Sequence, residues 1–208
     1  MGQKFAALLT FILLAGATVP AVVFAQQSGD AARDPDLGQG WQQRVAQRKN
    51  ELKTKLDAVT QARITARCKA AQTVLKNMQQ RGQTGLSQRV GKYDTVSNKL
   101  SNLVEKLEGT QTDSTALKQV QAKFSAAVTT FKKDLAAYNQ SLDDALAMDC
   151  AADPAGFKAT LDSLRAQRAQ LAKDAAAIKK LQPELVKALA SVRKALVDKN
   201  QSAGEGAN

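Results

Sequence analysis

Three unbroken stripes of apolar residues, repeating at every third or fourth position, are the feature that most constrains this chain. They are Leu86, Val90, Tyr93, Val96, Leu100, Leu103 and Leu107; then Leu117, Val120, Phe124, Val128, Phe131, Leu135, Tyr138, Leu142 and Leu146; then Phe157, Leu161, Leu164, Arg168, Leu171, Ala175, Ile178, Gln182, Leu185, Leu189, Val192 and Leu196, with Arg168 and Gln182 as the polar exceptions of the third stripe. Such spacing turns one face of each helix toward a shared core. The sequence therefore predicts an all-α fold, an elongated antiparallel bundle or coiled coil of three long helices.

Local signals place the helices at about 41–108, 115–148 and 154–198. The small, polar stretch from Gly109 to Ser114 suits a turn between helices. Asp153 followed by Pro154 is typical of a helix start, with a side-chain acceptor at the N-cap and proline at the first helical position. Pro183 lies inside the third stripe and is expected to kink that helix.

The stretch from Arg81 to Ser87 is ambiguous, because it contains Gly82 and Gly85. A break there would produce four helices. However, Cys68, Leu75 and Gly82 share one seven-residue phase with Val96 and Leu103, which a true loop would have no reason to keep. We therefore predict one helix over 41–108, with a possible bend near Gly82.

The two ends of the chain differ in composition from the helical region between them. Residues 1–25 carry Lys4 and then a long uncharged run, and Val23-Phe24-Ala25 fits a signal-peptidase site, so we predict a cleaved signal peptide. The alternative is a retained anchor, and only then would the protein be attached to a membrane. Residues 26–40 are predicted to be a flexible leader and 200–208 a disordered tail, which leaves a helical bundle over 41–199 in a secreted, periplasmic or cell-surface protein.

The chain contains two cysteines, Cys68 and Cys150. In an exported protein, an even number favours a disulfide, whereas free thiols or an intermolecular bond are the alternatives. If the chain reverses near residue 111, Cys68 lies about 43 residues before the turn and Cys150 about 39 after it, each about 60 Å from the tip. The two levels match, so we predict a Cys68–Cys150 disulfide.

The span from Cys68 to about Leu196 resembles a family of uncharacterised exported helical proteins of candidate-phyla (Patescibacteria-type) bacteria. The likeness depends on the interval between the two cysteines, on Tyr93, Leu100 and Leu103, and on the run Phe157-Lys158-Ala159-Thr160-Leu161 after Cys150. This chain is rich in Ala and Lys where that family is rich in Glu. The resemblance implies an exported, disulfide-linked helical fold and no catalytic activity.

The residues needed for most catalysis are missing. The chain has no histidine, the commonest general base and metal ligand, and a disulfide would occupy both thiols. Asp143, Asp144 and Asp149 form an acidic cluster, for which weak Ca²⁺ binding is the functional interpretation and a solvated helix end the simpler one that we prefer. The aromatic residues of the stripes are predicted to be core residues. We expect no enzyme activity, no cofactor and no metal site.

The positive charge of the chain is concentrated near its start. Of the formal net charge of +11, the segment from Arg44 to Arg81 carries ten Lys and Arg against Glu51 and Asp57, which is +8. The predicted polyanion-binding residues are Arg44, Arg48, Lys49, Lys53, Lys55, Arg63 and Arg67. Such a helix suits an anionic cell-envelope polymer or a protein partner. Sequence-specific nucleic-acid binding is disfavoured, because aromatic residues for base stacking are missing from the segment.

Two function classes follow from these features. The first is an exported helical spacer or interaction protein that presents its basic helix to an anionic envelope component or partner. The alternative is a periplasmic chaperone-like or inhibitor-like adaptor that uses a groove between helices. An exposed apolar groove would favour the adaptor, and a closed core with a protruding basic helix would favour the spacer.

Overall fold

The computed structural model describes residues 40–110 and 112–205, and all regular structure within these ranges is helical. The helices are α1 (Trp41–Lys55), α2 (Ala58–Glu108), α3 (Thr115–Ala147), α4 (Pro154–Lys180) and α5 (Gln182–Glu205). The predicted signal peptide (1–25) and all of the predicted leader except its last residue lie outside the described residues. None of the described helices is long and apolar enough to cross a membrane.

The main core is formed where α3 packs against α2, α4 and α5. Most of the striped positions predicted to face the core do so. The largest fully buried side chains in this core include Leu100 and Leu107 of α2, Leu117, Phe131 and Leu142 of α3, and Phe157 of α4. Within the first stripe, burial increases toward the α2–α3 turn. Leu86 and Val90 are only partly buried, whereas Leu103 is 4% exposed.

The expectation of one helix over residues 41–108 is wrong, because the helix ends at Lys55 and a new one begins at Ala58. Leu56 has extended backbone geometry with ψ of 116°. Asp57 is the N-cap of α2, and its Oδ1 accepts a hydrogen bond from the Thr60 N–H at 2.6 Å. An Asp side chain that satisfies a backbone donor in this way competes with helix continuation. The break is therefore encoded by Asp57 and Thr60.

The glycine pair does not interrupt α2. The helix runs through Gly82 and Gly85, so the four-helix alternative with a loop over 81–87 is excluded by the structure. An added Cβ at Gly82 would meet only Leu86 Cδ1, at 4.0 Å, and one at Gly85 would meet nothing within 4 Å. Both positions therefore have room for a larger side chain.

The predicted third helix is divided where Pro183 was expected to kink it. α4 ends at Lys180, Leu181 forms a turn, and α5 begins at Gln182. Pro183 has no N–H to continue the hydrogen-bond ladder, and its ring crowds the carbonyl four residues earlier, at Lys179. At the same point the Leu181 N–H bonds the Ile178 carbonyl at 3.1 Å, one residue closer than in an α-helix. The expected disordered tail from residue 200 is also wrong in part, because α5 continues to Glu205. The side chain of Lys199 there donates a hydrogen bond to the Thr110 carbonyl.

The predicted disulfide is present. Cys68 and Cys150 are bonded, with their Cα atoms 5.7 Å apart and a sequence separation of 82. One turn along α2, the Gln72 side-chain amide donates to the Met148 carbonyl at 2.9 Å. The covalent bond and this hydrogen bond together join α2 to the segment that follows α3.

The predicted start of α4 is also observed, because Asp153 is the N-cap and accepts from the Gly156 N–H at 3.0 Å.

Candidate functional site

The first helix does not protrude from the bundle. α1 packs along the N-terminal part of α4, and Leu52, which is 5% exposed, contacts a small second core with Ala155 and Ala159. These two alanines lie one turn apart on α4, so they share a face, and their short side chains let α1 approach closely. The basic segment is therefore anchored at its N-terminal end.

Ion pairs between α1 and α4 add to this anchoring. Lys49 forms a salt bridge with Asp153, and Arg48 Nε lies 3.8 Å from Asp162 Oδ2. Burial alone would raise the pKa of Asp153, but hydrogen bonds from Lys49 and the Gly156 N–H, together with the charges of Lys49 and Lys53, hold that pKa below its ordinary value. Asp153 therefore acts twice, as the cap of α4 and as an acceptor for α1.

The seven predicted polyanion-binding residues are thus divided between two roles. Arg48 and Lys49 contact α4, Arg44 is half-buried on α1, and Lys53 lies near Asp153. The remaining three belong to a group of five exposed cations for which no carboxylate of the described residues lies within 4 Å. We call this group the basic surface, and it comprises Lys55, Arg63, Arg67, Lys69 and Lys76.

The acidic cluster suggested by the sequence is dispersed in the structure. Asp144 accepts a hydrogen bond from Gln140 at 3.0 Å. Asp149 accepts from the backbone N–H groups of Ala151 and Ala152 at 3.0 and 3.1 Å. Within the described ranges, no three His, Cys, Asp or Glu residues are grouped closely enough to hold a metal ion.

The aromatic residues of the stripes pack in the core, as predicted. The Tyr93 ring meets Phe131 edge to face at a centroid distance of 5.5 Å and Phe124 at 6.4 Å. Phe131 and Tyr138 have a second role, because both also line an open groove between helices. From the sequence, both residues were predicted to be core residues, and their position beside a groove was not predicted.

The groove has a volume of about 590 Å³ and lies between α2, α3 and α4. Its buried lining residues are Phe131, Tyr138 and Leu171, which are 0%, 5% and 5% exposed. The α2 side is lined by residues from Val74 to Arg89 and includes Gly82. Gly82 leaves the middle of the α2 side without a side chain, and an added Cβ there would meet only Leu86 Cδ1, at 4.0 Å. The more accessible apolar residues of the lining are Val74, Met78 and Leu86 of α2.

Three guanidinium groups line the groove, from Arg81, Arg89 and Arg168, and no carboxylate does. Burial raises the pKa of Tyr138, and the positive charge of Arg168 opposes part of that rise. Arg89 has the same effect on Tyr93, whose pKa is also raised by burial. Both phenols are therefore neutral hydrogen-bond groups at neutral pH. Arg168 was visible in the sequence as a polar exception in the third stripe, but its neighbours come from other helices.

Comparisons of the chain with protein-family models, with curated proteins and with solved structures find no match. The resemblance to exported helical proteins therefore stays a prediction, and the interpretation of function depends on the two surfaces described above.

Proposed function

We propose that this is an exported, non-catalytic interaction protein that binds an anionic partner, such as a cell-envelope polymer, through the basic surface. In this proposal the helical bundle is a spacer, and the contact is carried by the last residue of α1 and the N-terminal half of α2 instead of by a protruding helix. The feature that supports it most directly is a group of five exposed cations without carboxylate partners among the described residues.

The arrangement of these cations favours an extended partner. Lys69 and Lys76 lie seven positions apart, so they share one face of α2, and Arg63 and Arg67 are one turn apart on the roughly opposite face. A partner must therefore wrap around the helix to meet all four. From Arg63 to Lys76 the helix rises about 20 Å at 1.5 Å per residue. A polymer with regularly spaced phosphate or sulfate groups can meet several such charges at once, whereas a single small anion cannot.

Binding to double-stranded DNA as a probe polyanion, measured over a range of salt concentrations, tests the proposal. Replacing all five residues of the basic surface with Gln should weaken binding and reduce the steepness of its salt dependence. If each cation neutralises one phosphate, the slope of log K against log salt should become shallower by up to about 4.5. The variant should remain folded, because all five side chains are exposed.

A matched control removes the same charge elsewhere. Lys179, Lys180, Lys187, Arg193 and Lys194 are exposed on α4 and α5, and their replacement with Gln also removes five positive charges. We expect this control to change the slope by less than about 1. Equal weakening by the two sets would show that only total charge matters, and the basic surface would then have no specific role.

The groove favours a second candidate function, the adaptor that uses an interhelical groove. An exposed apolar groove was the feature expected for that class, and α1 is packed on α4 instead of protruding as the spacer class required. The groove has the volume of small-molecule sites, which is about 300–1,000 Å³. Blocking it at Gly82 should abolish binding of any ligand it takes, and the DNA experiment should be unaffected.

A further inference from the structure

We infer that the groove binds a single acyl chain that ends in a carboxylate, with the chain on the apolar surface and the carboxylate on the arginines. This inference rests on the second candidate function, the groove adaptor, and names its ligand. Of the basic surface, only Lys76 lies within the same stretch of α2 as the groove, and Lys76 is not one of the residues that line it.

The shape of the groove favours a narrow, extended ligand. Its α2 residues run from Val74 to Arg89, a distance of about 22 Å along the helix axis at 1.5 Å per residue. Spread over that length, about 590 Å³ corresponds to a mean cross-section of about 27 Å². A helix about 10 Å across has a cross-section of roughly 80 Å², so a helical peptide could place only one face in the groove.

The chemistry of the lining disfavours an extended peptide as well. Every peptide residue other than proline brings an N–H that needs an acceptor, and burial without one is costly. Of the described side chains that line the groove, only those of Asn77 and Tyr138 can accept a hydrogen bond, fewer than an extended peptide along the groove would need, and guanidinium groups only donate. A hydrocarbon chain has no such requirement, and its transfer from water onto the accessible side chains of Val74, Met78 and Leu86 is favourable.

The positive charges of the residues that line the groove favour a ligand with an anionic end group. Arg81 and Arg89 come from α2 and Arg168 from α4, so cations stand on both sides of the apolar surface. Among the described residues, no carboxylate lies within ion-pair distance of Arg81 or Arg89. Arginine binds a carboxylate through two parallel hydrogen bonds, and a ligand carboxylate would supply the partner.

The groove exists because two positions depart from the apolar stripes. Gly82 lies on the same seven-residue phase as the buried Cys68 and Leu75, where a larger side chain would otherwise fill the space. Arg168 replaces an apolar residue in the stripe of α4 and is exposed. Since both departures border the same groove, one substitution at Gly82 can close it from the α2 side.

Titration calorimetry with dodecanoate, below the concentration at which it forms micelles, tests the inference. Dodecanol provides the same chain without charge, and acetate provides the carboxylate without the chain. We expect wild-type protein to bind dodecanoate at least tenfold more tightly than dodecanol, and to show no measurable binding of acetate. Equal affinity for dodecanoate and dodecanol would overturn the inference.

Variants locate the binding. Gly82→Leu should fill the groove and weaken dodecanoate at least tenfold, whereas the control Gly85→Leu should bind as wild type, because Gly85 faces open space. Arg81→Gln combined with Arg89→Gln should weaken dodecanoate at least tenfold and leave dodecanol unchanged. Arg193→Gln with Lys194→Gln removes the same charge far along the chain and should have no effect. Thermal melting of each variant confirms that it is folded.

The possible outcomes distinguish an error in the proposed ligand from an error in the proposed site. If Gly82→Leu blocks dodecanol and dodecanoate equally and the arginine variant changes neither, the groove is a binding site but its ligand is not an acid. If Gly82→Leu leaves dodecanoate binding intact, the ligand binds elsewhere, and the groove adaptor fails with the inference. Neither result affects the DNA experiment on the basic surface.

Discussion

Replacing Gly82 and Gly85 together with alanine should stabilise the protein. Both residues lie inside α2, and neither has a positive φ. A Cβ at Gly82 comes no closer than 4.0 Å to another side chain, and one at Gly85 meets nothing within 4 Å. Alanine is about 1 kcal/mol more favourable than glycine in a helix interior, so the pair should add about 2 kcal/mol.

Thermal melting followed by far-UV circular dichroism measures this effect. For a protein of this size, 1 kcal/mol corresponds to a change in Tm of about 2–4 °C, so the double variant should melt about 4–8 °C higher. Unfolding in urea gives the free energy directly, and the m-value should not change. A lower Tm for the double variant would show that these glycines are not helical and would refute the continuous α2.

The same substitution at Gly156 should have the opposite sign and is therefore the matched control. A Cβ there would lie 2.8 Å from Asp153 Cγ, closer than such atoms can approach. The carboxylate would have to move, and it would lose its hydrogen bond to the Gly156 N–H and its salt bridge with Lys49. Loss of an N-cap alone costs about 1 kcal/mol, so we expect Gly156→Ala to destabilise by at least that amount.

Two further predictions concern the junction of α1 with α4 and the disulfide. Because the pKa of Asp153 is lowered in the fold, its carboxylate stabilises the protein above about pH 4, and that contribution is lost as the pH falls through the lowered pKa. Urea unfolding at about pH 7 and about pH 3 should therefore show a smaller difference for Asp153→Asn than for wild type, and an equal difference would contradict this role. Mass spectrometry after alkylation should detect two thiols only in reduced protein, and reduction should cost about 4.5 kcal/mol in the loop-entropy model for a separation of 82 residues. Two alkylated cysteines without reductant would contradict the disulfide.

The sequence predicted those parts of the fold that depend on local pattern. The 3/4 spacing identified core positions such as Leu100, Phe131 and Ile178, because a helix brings residues at that spacing onto one face. Asp153 and Pro154 gave the start of α4, because capping depends on a few adjacent residues. The disulfide was predicted because Cys68 and Cys150 lie at similar distances along their helices from the predicted turn.

The parts that were missed depend on contacts between distant segments or on weaker local signals. The break before α2 was available in Asp57 and Thr60, but no glycine or proline lies between Trp41 and Thr60 to mark it. Leu52 packs against Ala155 and Ala159, which lie more than a hundred positions later. The groove could not be predicted, because it combines Gly82, Phe131 and Arg168 from three helices, and no periodicity relates them.

The position of the disulfide determines how the protein responds to a pulling force applied at its two ends. Residues 69–149 lie within the loop closed by Cys68 and Cys150, so tension passes through the sulfur atoms and bypasses α3 and most of α2. Roughly 280 Å of extended chain, at about 3.5 Å per residue, is thereby withheld from stretching. Under load, the described helices that can lengthen the molecule are α1, the start of α2, α4 and α5. The disulfide thus converts the middle of the chain into a link of fixed length, as long as the bond stays oxidised.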